Sequence, residues 1–158
     1  MVDPDSALRL DGRVALVTGG TRGIGRAIAE AYARAGAGVV VLARKADELA
    51  ETERALAALG APVLTVAGSA GDPEVIEQAV DRSVAEMGRL DVLVNNAATN
   101  PAFGPTIEVE PRAVRKILEV NLEGPLLLAQ AAWRAWMRDH GGVVLNIASI
   151  GGLRASPF

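Results

Sequence analysis

The chain has 158 residues, half of them apolar, with a formal net charge of −3 and no cysteine. This length fits one domain with a sizeable core, and the lack of cysteine excludes disulfides, thiolate catalysis and cysteine-ligated metals. Basic residues are scattered and no apolar run approaches the roughly 18 residues of a membrane span, so neither nucleic acid nor membrane is an expected partner. We expect a soluble, cytoplasmic protein without a metal site.

Residues 1–9 are acidic and polar, which predicts a disordered tail rather than a secretory signal, followed by one domain over 10–158. Short apolar runs predict buried strands over 13–18 and 39–42 and further strands over 63–66, 90–94 and 143–147. Helical patterns predict helices over 24–35, 46–59, 72–87 and 111–138. Asp72 is the expected N-cap of the third helix. Pro125 predicts a bend or local break near Gly124, and the single histidine, His140, is expected in a surface loop.

Uninterrupted apolar strands that alternate with helices predict a parallel sheet covered on both faces. Right-handed crossovers then favour an α/β doubly wound, Rossmann-type sheet with strands in the order 3-2-1-4-5. Ligands of such sheets bind beyond the carboxyl ends of the strands, at the point where the strand order reverses. The segments after Thr18 and Val94 should therefore lie side by side over one crevice.

The segment after the first strand reads Thr18-Gly-Gly-Thr-Arg-Gly-Ile-Gly25. Gly19 lets the chain turn out of the strand, Gly23 lets the backbone approach a pyrophosphate, and Gly25 lets the following helix pack on the sheet. The N–H groups at the start of that helix suit phosphate oxygens. Because the pattern follows a strand and opens a helix, it predicts dinucleotide binding rather than an ordinary glycine-rich loop.

The end of the second strand indicates which dinucleotide is bound. An acidic residue there would bind the ribose 2′-hydroxyl of NAD, but the sequence has no acid until Asp47. Arg44 and Lys45 suit a 2′-phosphate instead, and Arg22 can approach the same group. We favour NADP(H), while NAD(H) stays possible and solvated surface cations are the alternative interpretation.

Polar residues also follow the fourth and fifth strands. Asn95 is expected to brace the sheet and Asn96 to approach the nucleoside ribose, whereas Ser149 would lie over the crevice near a nicotinamide. Taken singly, each of these residues suits a structural role as well. In their order and context, four motifs together resemble the short-chain dehydrogenase/reductase family from residue 10 onward: Thr18 to Gly25, Asn95-Asn-Ala-Ala98, Asn121 and Asn146-Ile-Ala-Ser149.

The glycine spacing resembles the ordinary short branch of this family. The segment from Asn96 to Pro105 further resembles its NADPH-dependent carbonyl and retinal reductases. The resemblance implies that Ser149 hydrogen-bonds the substrate oxygen and that Asn121 holds a water of the proton relay. It assigns the cofactor to Gly19, Thr21, Arg22, Gly23 and Ile24 at the pyrophosphate, to Ser69 and Ala70 at the adenine, and to Asn96, Ala97 and Ala98 at the ribose.

Two of these positions depart from the family pattern, since many members have Asp at the Ser69 position and Gly at the Ala98 position. A third departure concerns the general acid, a Tyr four residues before a Lys and roughly a dozen residues beyond the serine. The only tyrosine is Tyr32, and neither Lys45 nor Lys116, the only lysines, follows it at that spacing. Proton transfer by a positioned group is typically worth roughly 10²–10⁴-fold.

The resemblance thus implies an NADP(H)-dependent oxidoreductase that acts on a small carbonyl or alcohol substrate, with the 158-residue chain itself inactive. A catalytically silent dinucleotide-binding module is the alternative. Family members continue with strands beside the fifth, so the apolar run 143–147 is expected to form a bare edge prone to aggregation or to recruit a partner. The complete protein is expected to be a homo-oligomer, and Trp133, Trp136 and Met137 suit either the core or that interface.

Overall fold

The computed structural model describes residues 8–102 and 104–152, so the predicted tail lies largely outside the described residues. The strands are β1 (Val14–Thr18), β2 (Gly38–Ala43), β3 (Val63–Ala67), β4 (Val92–Asn95) and β5 (Val143–Asn146). The α-helices are α1 (Gly23–Arg34), α2 (Ala46–Ala57), α3 (Pro73–Met87), α4 (Pro111–Leu118), α5 (Gly124–Ala132) and α6 (Arg138–His140). Short 3₁₀ turns lie at Thr106–Glu108 and Ile150–Gly152.

The five strands form one parallel sheet in the order β3-β2-β1-β4-β5, which confirms the predicted fold class and strand order. At its centre Leu16 of β1 lies beside Val40 of β2 and Leu93 of β4. The strand order reverses between β1 and β4, so the segments that follow these two strands open over the same crevice.

The core has two layers because successive side chains of a strand point to opposite faces of the sheet. Leu16 and Val40 pack with α3 and α5 on one face, whereas Val17 and Val41 pack with α1 and α2 on the other. All of β1 is buried, which explains why it reads as a continuous apolar run rather than as an alternating one.

The long predicted helix stays helical but changes its hydrogen-bonding register twice. Five-residue π-helical segments occupy Glu119–Glu123, between α4 and α5, and Trp133–Met137, between α5 and α6. Gly124 donates its N–H to the carbonyl of Glu119, five residues back, directly before Pro125, which has no N–H to donate. The irregularity predicted near Gly124 is therefore a π-helical turn.

His140 is the last residue of α6 rather than part of a loop. Its ring stacks on Trp136 with the ring centroids 3.8 Å apart, and Nδ1 lies 3.0 Å from the Trp136 carbonyl oxygen. Trp136 packs against the core and Met137 is buried, while Trp133 is half exposed, so this turn serves the core on one side only. Within the part of the chain that the structure describes, no helix combines the length and apolarity needed to cross a bilayer.

Candidate cofactor site

The carboxyl ends of β1 and β4 are joined through the Thr18 hydroxyl. Thr18 Oγ1 donates to the Val94 carbonyl (3.2 Å) and accepts from the backbone N–H groups of Asn96 (3.0 Å) and Ala97 (2.9 Å). Asn96 Nδ2 in turn donates to the carbonyls of Thr18 (2.8 Å) and Gly19 (3.2 Å). Asn96 thereby fixes the start of the glycine turn, a role beyond the ribose contact that the sequence predicts.

Two glycines shape the turn for different reasons. Gly23 has φ +55°, in the left-handed region, and a Cβ there would meet no atom of the described chain within 4 Å. A Cβ on Gly25 would lie 2.3 Å from the Gly19 carbonyl oxygen and 2.4 Å from Asn96 Nδ2. The helix can therefore begin directly against the turn only because residue 25 has no side chain.

The first turn of α1 is left without a cap from any described side chain. Arg22 occupies the N-cap position and makes no capping hydrogen bond, and the first turn holds no acidic residue. In contrast, α3 has Asp72 as its N-cap, as the sequence predicts. The Asp72 side chain accepts from the Glu74 N–H at 3.0 Å. Unpaired N–H groups at a helix N-terminus, together with the positive end of the helix dipole, suit an anion such as a phosphate.

This helix start opens into a cavity of about 350 Å³ at the switch point. Every residue that the sequence assigns to the cofactor lines it: Gly19, Thr21, Arg22, Gly23, Ile24, Arg44, Lys45, Ser69, Ala70, Asn96, Ala97 and Ala98. The Ser69 hydroxyl oxygen accepts from the Gly71 N–H (3.2 Å) and keeps its own proton to donate. The lining thus joins the start of α1 to the carboxyl ends of four strands, β1 to β4.

The basic end of the cavity is formed by three cations and one carboxylate: Arg22, Arg44, Lys45 and Glu48. Among the described residues, Arg22 and Arg44 form no ion pair, whereas Lys45 Nζ lies 2.6 Å from Glu48 Oε1. Glu48 Oε2 accepts from the Thr21 hydroxyl at 2.9 Å. The hydrogen bond from Lys45, followed by that from Thr21, lowers the pKa of the Glu48 carboxyl below its ordinary value.

Sequence reasoning missed Glu48, Lys116 and Val120, which also line the cavity. It identified Asp47 as the first acid after β2, but Asp47 is exposed and lies outside the lining. Both residues lie in the first turn of α2, which begins at Ala46, and there Glu48 lines the cavity whereas Asp47 is exposed.

The two residues predicted to be catalytic lie outside the cavity lining. Asn121, in the first π-helical segment, pairs its amide with the backbone of Thr99: Oδ1 accepts from the Thr99 N–H (2.8 Å) and Nδ2 donates to its carbonyl (2.9 Å). Ser149 is exposed, and its Oγ accepts from the Gly151 N–H (3.1 Å). Asn95 braces β4 against β5 as predicted, since Nδ2 donates to Asn146 Oδ1 at 2.9 Å.

These features fit the phosphates of a dinucleotide. The helix start offers unpaired N–H groups, the turn offers a glycine without a side chain in the way, and Arg22 and Arg44 supply positive charge. The carboxyl ends of β1 and β4, held together through Thr18 and Asn96, form the adjoining part of the cavity.

A family model described as short chain dehydrogenase matches residues 13–158. Dehydrogenase/reductase SDR family member 4 from Sus scrofa is 38% identical over 148 residues, which cover 94% of this chain and 53% of that protein. A short chain dehydrogenase from Burkholderia cenocepacia, solved in complex with NADP, is 35% identical with a TM-score of 0.88 over 94% of this chain and 60% of its own.

A carveol dehydrogenase from Mycobacterium avium, solved in complex with NAD, is 26% identical with a TM-score of 0.88 over 94% of this chain and 58% of its own. The chain thus spans little more than half the length of each of these three proteins.

Proposed function

Because the chain belongs to the short-chain dehydrogenase family of oxidoreductases, we propose that its cavity binds NADP(H) for hydride transfer between the nicotinamide and a small carbonyl or alcohol substrate. The observation that carries the proposal is the start of α1, which no described side chain caps, opening into a cavity with Arg22 and Arg44, which form no ion pair among the described residues. Nicotinamide cofactors supply the hydride when bound, and the protein supplies binding, orientation and proton transfer.

Each part of the cavity has a role in this proposal. The N–H groups of the first turn of α1 would hold the pyrophosphate, with Gly23 leaving room for its approach. Ser69 and Ala70 would border the adenine, and Asn96 to Ala98 would border the nucleoside ribose. The carbonyl reductase subtype rests on the similarity of the segment Asn96 to Pro105.

We place the 2′-phosphate of NADP(H) at Arg22, Arg44 and Lys45. The guanidinium group matches phosphate oxygens with paired N–H donors, and both arginines are exposed and unpaired among the described residues. Solved relatives hold either NADP or NAD, so the preference rests on these cations alone.

The test is a titration of the 158-residue protein with NADPH and NADH, followed by the fluorescence of the reduced nicotinamide or by calorimetry. Arg44→Ala is expected to weaken NADPH binding by about tenfold or more and to change NADH binding little, since a charged hydrogen bond is worth about 1.5–3 kcal/mol. Arg54→Ala is the matched control, because Arg54 lies exposed on α2 outside the cavity. Equal losses for both nucleotides would contradict a 2′-phosphate role.

We assign catalytic support to Ser149 and Asn121 by the family resemblance, with Ser149 facing the substrate oxygen. The sequence given contains no Tyr four residues before a Lys. We therefore expect no NADPH oxidation by the 158-residue protein with a generic ketone, although it binds the nucleotide. Turnover above background would contradict this expectation.

A second candidate is a catalytically silent dinucleotide-binding module. The coding sequence beyond Phe158 separates the two. An in-frame Tyr-x-x-x-Lys within a few residues would support the oxidoreductase, whereas a stop codon would support the silent module.

For the complete protein we propose a homo-oligomer. Its support is a row of exposed apolar side chains, the helical row, whose first four members are spaced four residues apart: Val114, Leu118, Leu122, Leu126 and Trp133. Such a contiguous apolar surface is typical of an interaction site. A cytoplasmic location stays a prediction.

A further inference from the structure

Glu48 lies at the junction of the three segments that form the basic end of the cavity. It stands in the first turn of α2, and its side chain is about one-third exposed. One carboxylate oxygen accepts from the Thr21 hydroxyl of the glycine turn and the other from Lys45 at the end of β2. The carboxylate therefore cross-links the two segments that would surround an adenosine ribose.

This arrangement divides the nearby cations into two kinds. Lys45 already has an anionic partner in Glu48, whereas Arg22 and Arg44 have none among the described residues. The charge of Arg22 also acts on Glu48 and, with the hydrogen bonds from Lys45 and Thr21, keeps the pKa of that carboxyl low. At neutral pH the basic end therefore contains a permanent negative charge.

We propose that Glu48 is a selectivity residue that competes with the cofactor's 2′-phosphate for Lys45 and so narrows the preference for NADP(H) over NAD(H). This inference rests on the proposed function, because it takes the cavity to be a dinucleotide site. A 2′-phosphate brings up to two negative charges, so it is repelled by Glu48 and must draw Lys45 away from it. The 2′-hydroxyl of NAD(H) is neutral and can donate a hydrogen bond to the same carboxylate.

The substitution Glu48→Gln removes the charge of the side chain and keeps its shape. It keeps an oxygen that can accept from Thr21 and removes the negative charge that holds Lys45. Glu51→Gln is the matched control, since Glu51 is an exposed glutamate of the same helix outside the cavity lining. Thermal unfolding of each variant establishes that it is folded.

The probes are 2′,5′-ADP and 5′-AMP, titrated by calorimetry at one fixed ionic strength with the 158-residue protein. They differ only in the 2′-phosphate and need neither a nicotinamide nor turnover. We expect Glu48→Gln to tighten 2′,5′-ADP binding by about tenfold and to leave 5′-AMP binding within about twofold, while Glu51→Gln changes neither beyond about twofold. In a Lys45→Met background the gain from Glu48→Gln is expected to fall to less than half.

Three results would overturn the inference. Unchanged 2′,5′-ADP binding in Glu48→Gln would show that Glu48 exerts no competition, and an equal gain in Glu51→Gln would assign the effect to net charge. An undiminished gain in the Lys45→Met background would exclude competition for Lys45. If the unaltered protein binds neither probe and neither NADPH nor NADH, the proposed function fails and this inference fails with it.

Discussion

Asp91, the residue before β4, is a nearly buried carboxylate with three partners. It accepts from Arg13 (2.9 Å), from the backbone N–H of Val14 (2.9 Å) and from two nitrogens of Arg89 (2.7 Å each). Burial by itself raises the pKa of Asp91, but the hydrogen bonds from Arg89, Val14 and Arg13 outweigh it and lower the pKa from 3.8 to about 2. The folded state therefore favours the ionised carboxylate.

This pKa predicts how stability depends on pH. Because the pKa in the folded state lies below its unfolded value, the carboxylate stabilises the fold by about 2 kcal/mol above pH 5, and this contribution is lost as the pH falls toward 2. Asp91→Asn should lower the free energy of unfolding at pH 7 and flatten its decline between pH 5 and pH 3. Urea unfolding at a series of pH values measures both.

The control for this experiment is Asp81→Asn, which removes a carboxylate on the outer side of α3, exposed and without an ion pair among the described residues. It should leave the acid limb of the stability curve as in the unaltered protein. A parallel decline in Asp91→Asn and the unaltered protein would assign the acid sensitivity to other groups.

At the residue scale, the sequence predicts which residues lie around the cavity more reliably than it predicts the hydrogen bonds that they form there. The cofactor residues gather because each follows the carboxyl end of a strand or starts a helix, and those ends are fixed by the sheet order. Asn96 is different, because both hydrogen bonds from its amide nitrogen go to the glycine turn. Such pairings depend on distances between segments nearly 80 residues apart, which no local pattern encodes.

At the element scale, the first π-helical segment connects the long helix to the loop after β4. Asn121 holds both backbone groups of Thr99, while Val120 and Thr99 line the cavity. A π-helical turn widens the helix and redirects the side chains within it. Asn121 reaches the loop from this turn, so it acts as a positioning residue for one wall of the cavity.

We predict that Asn121→Ala makes the backbone at Thr99, in this wall of the cavity, more mobile. The Thr99 amide should exchange its hydrogen faster, and NADPH should bind a few-fold more weakly, since two hydrogen bonds of about 1 kcal/mol each are lost. Hydrogen exchange by mass spectrometry and a nucleotide titration measure the two effects. Asn100→Ala is the control, because Asn100 is exposed and outside the cavity lining; a similar result for both variants would contradict the role of Asn121.

The helices and strands also show which features a sequence pattern can predict and which it cannot. β1 and β2 are predictable because burial on both faces leaves continuous apolar runs, and α3 is predictable because aspartate and proline mark its start. The π-helical register is not, since an apolar pattern with a period near 3.6 cannot reveal one extra residue per turn. Pro125 locates the irregularity without stating its form.

At the scale of the whole molecule, two apolar surfaces formed by described residues face solvent. One is the helical row, and the other is β5, in which Val143, Val144 and Leu145 are each at least 40% exposed. β5 is also an edge of the sheet, so its outer backbone groups can pair with another strand. Association through the β5 edge can therefore continue from one molecule to the next. Association through the helical row can instead end in a discrete oligomer.

One lysine substitution on each surface tests the two kinds of association separately. We predict that Val144→Lys reduces the concentration-dependent aggregation of the 158-residue protein, because a charge on an edge strand opposes strand pairing. Leu122→Lys should instead shift any discrete oligomer toward monomer. Light scattering coupled to size-exclusion chromatography distinguishes the two, and a fully monomeric, soluble unaltered protein would contradict both predictions.

The stacked pair Trp136 and His140 has a consequence for spectroscopy. Both tryptophans of the chain, Trp133 and Trp136, lie within one helical turn, and neither lines the cavity. Their emission thus reports the environment of that turn, with the Trp133 indole half exposed and the Trp136 indole stacked on the His140 ring, 5.8 Å from the Arg89 guanidinium carbon. A change in that emission on heating follows the unwinding of the helix end rather than a change at the cavity.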